Sequence, residues 1–165
     1  MFSHNDYYKE IELNFDKDAL IEENEEINYH PFSSGKKRNS FSDLIPNWLQ
    51  GPVTNDIIYE YFEVKRIKDI ISTKTKSNAV NPKFYKQLAN TSLPMHRDTG
   101  TKCAINIILS NNAAPIIFED IGAIKYKCAL INVSQRHSVP AFPKERLLIK
   151  FSITDLKYED VYNLL

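Results

Sequence analysis

Near Phe84 the periodicity of this chain changes, and the change narrows the folds open to it. Upstream, apolar residues recur at three- and four-residue spacing; downstream they gather in short β-branched or aromatic runs divided by turn residues. Residues 83–88, 102–109, 115–119, 124–132 and 145–153 read as an antiparallel series of strands behind a helical N-terminal third. A chain of 165 residues, 42% of them hydrophobic, is one domain's worth and can bury a proper core. The expected class is mainly β with flanking helices (α+β), with residues 1–82 as helical and irregular support and residues 83–154 as the β-core.

Within the support, the alternation Ile11-Glu12-Leu13-Asn14-Phe15 predicts a strand with one buried face. Asp16 or Asp18 is placed to cap a following helix that runs to about Ile27 and carries acidic residues in its early turns. Residues 29–52 read as irregular, with prolines at 31, 46 and 52 and the polar run Ser33-Ser34-Gly35-Lys36-Lys37-Arg38. A loop that long inside a compact domain is often an active-site lid; its basic triplet reads as solvated surface. Thr54 is expected to cap the longest helix, 55–72, whose residues Ile57, Ile58, Tyr61, Val64, Ile67 and Ile71 form one apolar stripe. Such a helix would brace the outside of the β-core.

The chemistry gathers in His96-Arg97-Asp98, His137 and Arg146. In an extended strand successive side chains point to opposite faces, so His96 and Asp98 share a face and Arg97 points away. Two imidazoles and a carboxylate are the ligand set that holds non-haem Fe(II) and leaves further coordination positions open. Both histidines adjoin strongly apolar runs, and a core strand does not spend two ionisable side chains inward without partners. Ligation requires neutral imidazoles and an ionised Asp98, so metal affinity should fall with pH. Arg146 opens the last strong strand, where alternation puts Arg146, Leu148, Lys150 and Ser152 on one face. An inward Arg146 would grip a carboxylate as a bidentate, charge-assisted pair, with Lys150 the substitute if the register shifts.

The segments LPMHRDTGTKCAINIILS, YKCALINVSQRHSV and PKERLLIKFSI carry the pattern H-x-D, a long gap, a second His and a basic residue about ten positions on. Over residues 84–153 the chain resembles the Fe(II)/2-oxoglutarate-dependent oxygenases, in particular small prolyl-hydroxylase-like and aspartyl/asparaginyl-hydroxylase-like members. The resemblance implies a double-stranded β-helix, the jelly-roll arrangement of cupins, and a dioxygenase (a hydroxylase) that uses Fe(II), 2-oxoglutarate and O2. It implies His96, Asp98 and His137 as catalytic metal ligands and Arg146 as the residue that holds the co-substrate. The reaction implied is hydroxylation of a C–H bond with release of succinate and CO2, on an unidentified substrate, either a small molecule or a protein side chain. Asn106, polar inside an apolar strand, either lines the co-substrate pocket or bonds a neighbouring loop. Tyr85 either donates its hydroxyl to that pocket or is an ordinary core aromatic. Asn132 and Gln135 are placed to fix the loop that bears His137. Trp48, the one tryptophan, either covers the site or plugs the core.

Two other readings remain: a cupin-like metalloprotein with Zn or Mn and another activity, and a non-catalytic binding protein on the same fold. No Ser or Cys sits in a recognisable nucleophile motif, which argues against acyl transfer. Lys plus Arg and Asp plus Glu both total 21, and no nucleic-acid motif is present, so a nucleic-acid partner is not expected. No run is long and apolar enough for a membrane span. Cys103 and Cys128 lie in predicted strands and read as buried reduced thiols, so the expected location is the cytoplasm.

Overall fold

The structure, a computed structural model, describes residues 3–31, 48–111 and 113–165. Eleven strands and three α-helices are assigned among them. In chain order they are β1 (Tyr8–Glu10), α1 (Lys17–Glu25), β2 (His30–Pro31), β3 (Trp48–Pro52), α2 (Phe62–Thr75), β4 (Val80–Gln87), β5 (Leu93–His96), β6 (Cys103–Ile108), β7 (Ile116–Phe118), β8 (Gly122–Ile124), β9 (Cys128–Ile131), β10 (His137–Val139), β11 (Arg146–Ile153) and α3 (Tyr158–Tyr162). Seven strands form a sheet in the order β1-β9-β6-β11-β4-β3-β2, and four form a second in the order β5-β10-β7-β8. Every pairing is antiparallel.

The large sheet is covered on both faces, which is why its central strands read as apolar runs with little alternation. Phe84, Ile105, Ile107, Leu130, Ile149 and Phe151 pack with Val64, Ile67 and Ile71 of α2 and Leu20 of α1 on one side. On the other side Ala104, Ala129 and Ile131 meet Ile116, Phe118 and Ile124 of the small sheet. Tyr85 and Leu148 likewise meet Leu93 and Val139. Phe84, Phe118 and Phe151 are fully buried, each worth about 1.5–3 kcal/mol over exposure. Two antiparallel sheets facing each other with the helices outside make the double-stranded β-helix expected from the sequence.

Several local expectations are corrected. Ile11 to Phe15 keep their alternating exposure but join no ladder; the strand there is β1, one step earlier. Residues 124–132 are two strands, because the chain leaves the small sheet at Ile124 and enters the large one at Cys128, with Tyr126 at the crossing. Trp48–Pro52 is a strand paired with β4, and His30–Pro31 pairs with it in turn, so these parts of 29–52 are ordered sheet. The proposed lid and the run 33–38 lie outside the described residues. Asp16 does cap α1, its carboxylate accepting from the Ala19 N–H at 3.0 Å. Thr54 does not cap α2: its carbonyl closes a turn with Ile57 and Ile58, and the helix starts at Phe62. The reason is tertiary. The Glu23 carboxylate, from α1, accepts from the Glu63 and Val64 N–H groups at 2.9 to 3.3 Å and supplies the cap that local sequence lacks.

Both cysteines are buried and free. Cys128 pairs with Ile107, four residues along β6 from Cys103, a separation of about 13 Å that excludes a disulfide. Burial pushes both thiols up to about 12. No helix among the described residues is long and apolar enough to cross a membrane. Neither thiol should react with an aromatic disulfide reagent at pH 8 in the folded protein, and both should react in denaturant. A fast-reacting native thiol would contradict this packing.

Candidate metal centre

The small sheet builds the centre. β10 runs antiparallel to β5 in a register that sets His137 directly opposite His96, with ring centroids 4.4 Å apart. The strand ends at His96, and Asp98 is held just beyond it by its N–H, which donates to the Val133 carbonyl at 3.0 Å. Gly100, at a φ of 84°, turns the chain away.

The two imidazoles are oriented in the same way. His96 Nδ1 lies 2.7 Å from the Pro94 carbonyl, and His137 Nδ1 lies 2.7 Å from the Gln135 carbonyl, each two residues back along the chain. A carbonyl only accepts, so each Nδ1 donates its proton there and Nε2 is the ring atom directed at Asp98. Asp98 Oδ1 is 3.2 Å from His96 Nε2 and 3.5 Å from His137 Nε2. With Nε2 unprotonated on both rings, these two atoms and Asp98 Oδ1 form a convergent set of three electron-pair donors that a cation would fill. A metal ion about 2.1 Å from each would place neighbouring ligand atoms about 3 Å apart, close to what is found. These side chains are the cluster able to hold a metal ion among the described residues.

The other carboxylate oxygen is already taken. Lys150, from the middle of β11, donates to Asp98 Oδ2 at 2.5 Å. Burial alone would raise the Asp98 carboxyl, but the Lys150 charge and the adjoining imidazoles reverse it and hold the group well below the usual carboxylate range. Burial would lower Lys150; the Asp98 charge prevails and holds it above its ordinary value. Sequence alternation placed Lys150 inward, yet its bond to Asp98 depends on how the two sheets face each other, which no local pattern carries.

Arg146 enters the same cavity, a space of about 660 Å³ between the sheets. It is 3% exposed, and its Nε is buried without a hydrogen-bond partner. Nη2 reaches the Tyr126 hydroxyl at 3.4 Å, a weak contact. Among the described residues it forms no ion pair. Asn106 Nδ2 donates to the same hydroxyl at 2.9 Å, while Asn106 Oδ1 and the nearby Gln87 Oε1 are also buried without partners. Tyr85 and Trp48 line the cavity and stack at a tilt, centroids 5.9 Å apart, so each is both core and wall. Asn132 ties the segment before His137 to the N-terminus through the Asp6 carbonyl, and Gln135 acts through its backbone. Arg97 is exposed at the rim. Sequence reasoning passed over Tyr126, Gln87 and Lys83; the last two are the cross-strand partners of Arg146 and Lys150, a register that no local pattern carries.

No protein-family model and no curated protein matches the sequence. Solved structures share its fold. A prolyl-4-hydroxylase from Pseudomonas putida is similar over 89% of this chain and 90% of its own, at 10% identity and a TM-score of 0.58. The viral collagen prolyl hydroxylase of Paramecium Bursaria Chlorella virus-1, in its 2OG complex, is similar over 89% of this chain and 95% of its own, at 12% identity and a TM-score of 0.57. The DMSP lyase DddQ from Ruegeria pomeroyi DSS-3 is similar over 84% of this chain and 62% of its own, at 11% identity and a TM-score of 0.52. At such identities the likeness establishes the fold, and proteins of that fold carry more than one chemistry.

Removing one member of the buried pair strands the other. Asp98→Ala should cost the metal-free protein about 3–5 kcal/mol in denaturant unfolding, and adding Lys150→Met should recover much of that. Asp98 is held low, so its contribution is present above the usual carboxylate range and fades as pH falls through its lowered value. Lys150 is held high, so its contribution is present below the usual lysine value and fades as pH rises through its raised one. With His96 and His137 replaced by Ala in both proteins, the advantage of the Asp98–Lys150 pair over the double variant should therefore be flat from about pH 5 to pH 9. A steep change inside that window would contradict the pairing.

Proposed function

We propose that the protein is an Fe(II)- and 2-oxoglutarate-dependent dioxygenase that hydroxylates a C–H bond. The observation that carries this reading is the joint presence, in one cavity, of a convergent His–Asp–His donor set and a buried guanidinium that meets no anion among the described residues. A metal-binding protein needs the first for any chemistry; the second calls for an anionic ligand, because a buried unpaired cation is costly to keep, and 2-oxoglutarate supplies one.

In this reading His96, Asp98 and His137 hold the iron, and Arg146 takes the distal carboxylate of 2-oxoglutarate as a bidentate, charge-assisted pair. Bound iron with 2-oxoglutarate and O2 supplies the oxidising power, and the co-substrate leaves as succinate and CO2. The chain's own work is geometric. The Pro94 and Gln135 carbonyls fix both imidazole tautomers. Lys150 occupies Asp98 Oδ2 and so presents the carboxylate through Oδ1 alone. Asn106 offers Oδ1 and Tyr85 its ring and hydroxyl to the co-substrate side, while Leu93, Leu148 and Trp48 form an apolar wall that limits water. The two free buried thiols suit a reducing compartment, and we place the protein in the cytoplasm.

The competing reading is a metalloprotein with another activity, and the lyase among the structural neighbours favours it. An anaerobic titration of Fe(II)-loaded protein with 2-oxoglutarate separates the two. A visible metal-to-ligand charge-transfer band should appear and should be lost in His96→Ala. Arg146→Ala should raise the 2-oxoglutarate needed by roughly 10- to 100-fold while leaving iron affinity nearly unchanged. The fluorescence of Trp48 should follow the same titration. Iron binding with neither signal would support the other metalloprotein.

A further inference from the structure

Charge in the cavity does not balance. Among the described residues Lys83, Arg97, Arg146 and Lys150 line it as cations, against the single carboxylate of Asp98. A divalent ion on the triad would add to the excess, and the two carboxylates of 2-oxoglutarate would not cancel it. Asp98 is engaged by Lys150. Arg146, four residues along β11 from Lys150, lies about 13 Å further down the strand and answers the distal carboxylate of the co-substrate. Arg97 is solvated at the rim. Lys83 is left over.

Its position is specific. Lys83 on β4 is the register partner of Lys150 on β11, so two ammonium-bearing side chains project from directly opposed positions on one sheet face. Like charges so placed destabilise a sheet unless an anion compensates them. Lys83 is half-buried and forms no hydrogen bond or ion pair among the described residues. Burial, and then the Lys150 charge, hold its ammonium below the ordinary lysine value. The far neighbour in the same row is Pro52, which offers no N–H and no side-chain acceptor. The cavity, at about 660 Å³, has room for a second small ligand beside a co-substrate.

We propose that Lys83 is the recognition point for an anionic group of the substrate, a carboxylate or a phosphate monoester, bound on the Lys150 side of the metal centre while Arg146 holds the co-substrate. This assignment rests on the dioxygenase reading and gives it a substrate class: small acids, or side chains bearing such a group.

The test is calorimetry on Mn(II)-loaded protein saturated with 2-oxoglutarate, titrated with propionate and with methyl phosphate. Wild-type protein should bind at least one, and the tighter of the two names the group. Lys83→Gln should weaken that anion roughly tenfold or more. Lys83→Arg should retain it, and Lys86→Gln, on the opposite face of β4, should not alter it. Affinity for 2-oxoglutarate should be the same in all four proteins. Lys83→Gln removes a like-charge contact, so without ligand it should melt at or above the wild-type temperature, which separates lost binding from lost folding. The assignment is overturned if neither anion binds, if Lys83→Gln binds the anion as wild type does, or if it loses 2-oxoglutarate as Arg146→Ala does. If 2-oxoglutarate fails to bind at all, the dioxygenase reading falls by itself. The same anions on the Mn(II) protein alone then decide Lys83: a loss in Lys83→Gln sustains the subsite and equal binding removes it.

Discussion

The bond between Asp98 and Lys150 is the point on which the site turns. Asp98 follows the edge strand of the small sheet and Lys150 lies mid-strand in the large one, so the pair spans the interior and joins the two layers. Such a pair adds little net stability over a well-packed apolar substitute, because desolvating both charges consumes most of the attraction. Its value is specificity. With Oδ2 committed to Lys150, Oδ1 must face the imidazoles, and the carboxylate cannot rotate to chelate through both oxygens or swing out to solvent. One contact fixes the separation of the sheets, the ionisation of the carboxylate and the direction of its ligating atom.

That contact is possible because everything around it is satisfied by apolar packing. The large sheet gives one face to the helices, with Ile67, Ile71, Ile149 and Phe151 fully buried, and keeps the other for the small sheet. Against this dry background the polar atoms without partners, Arg146 Nε, Asn106 Oδ1 and Gln87 Oε1, stand out. Native interiors leave few such atoms, and each costs about 1–3 kcal/mol. Arg146 and Gln87 are paired where β11 begins and Asn106 is paired with Lys150 four residues on, so the partnerless atoms are spread along the strand.

How much was legible in the sequence follows from the range of each interaction. His96 and Asp98 were readable as a pair because two-residue spacing is a local property of extended chain, and Arg146 and Lys150 as inward residues because β11 alternates. The Asp16 cap of α1 was readable for the same reason. The start of α2 was not, since its cap is the Glu23 side chain from a different helix. The division of 124–132 into two strands was hidden because an apolar run looks alike whether it stays in one sheet or crosses to the next. The pairing of Lys83 with Lys150, and of Lys150 with Asp98, is register and layer geometry, which a single sequence does not contain.

β11 therefore acts as a ruler. Among the described residues it makes the longest strand pairing, matched residue for residue with β4 from Arg146↔Gln87 to Ile153↔Val80 and with β6 from Leu148↔Ile108 to Ile153↔Cys103. Held by ladders on both sides, it fixes the distance from Lys150, bonded to Asp98, to Arg146, whose Nε has no partner among the described residues. A slip of one residue would turn both cations to the helical face and bring Ile149 and Phe151 into the cavity, at the expense of the whole core. The spacing between Lys150 and Arg146 is thus protected by the same burial that holds the fold together.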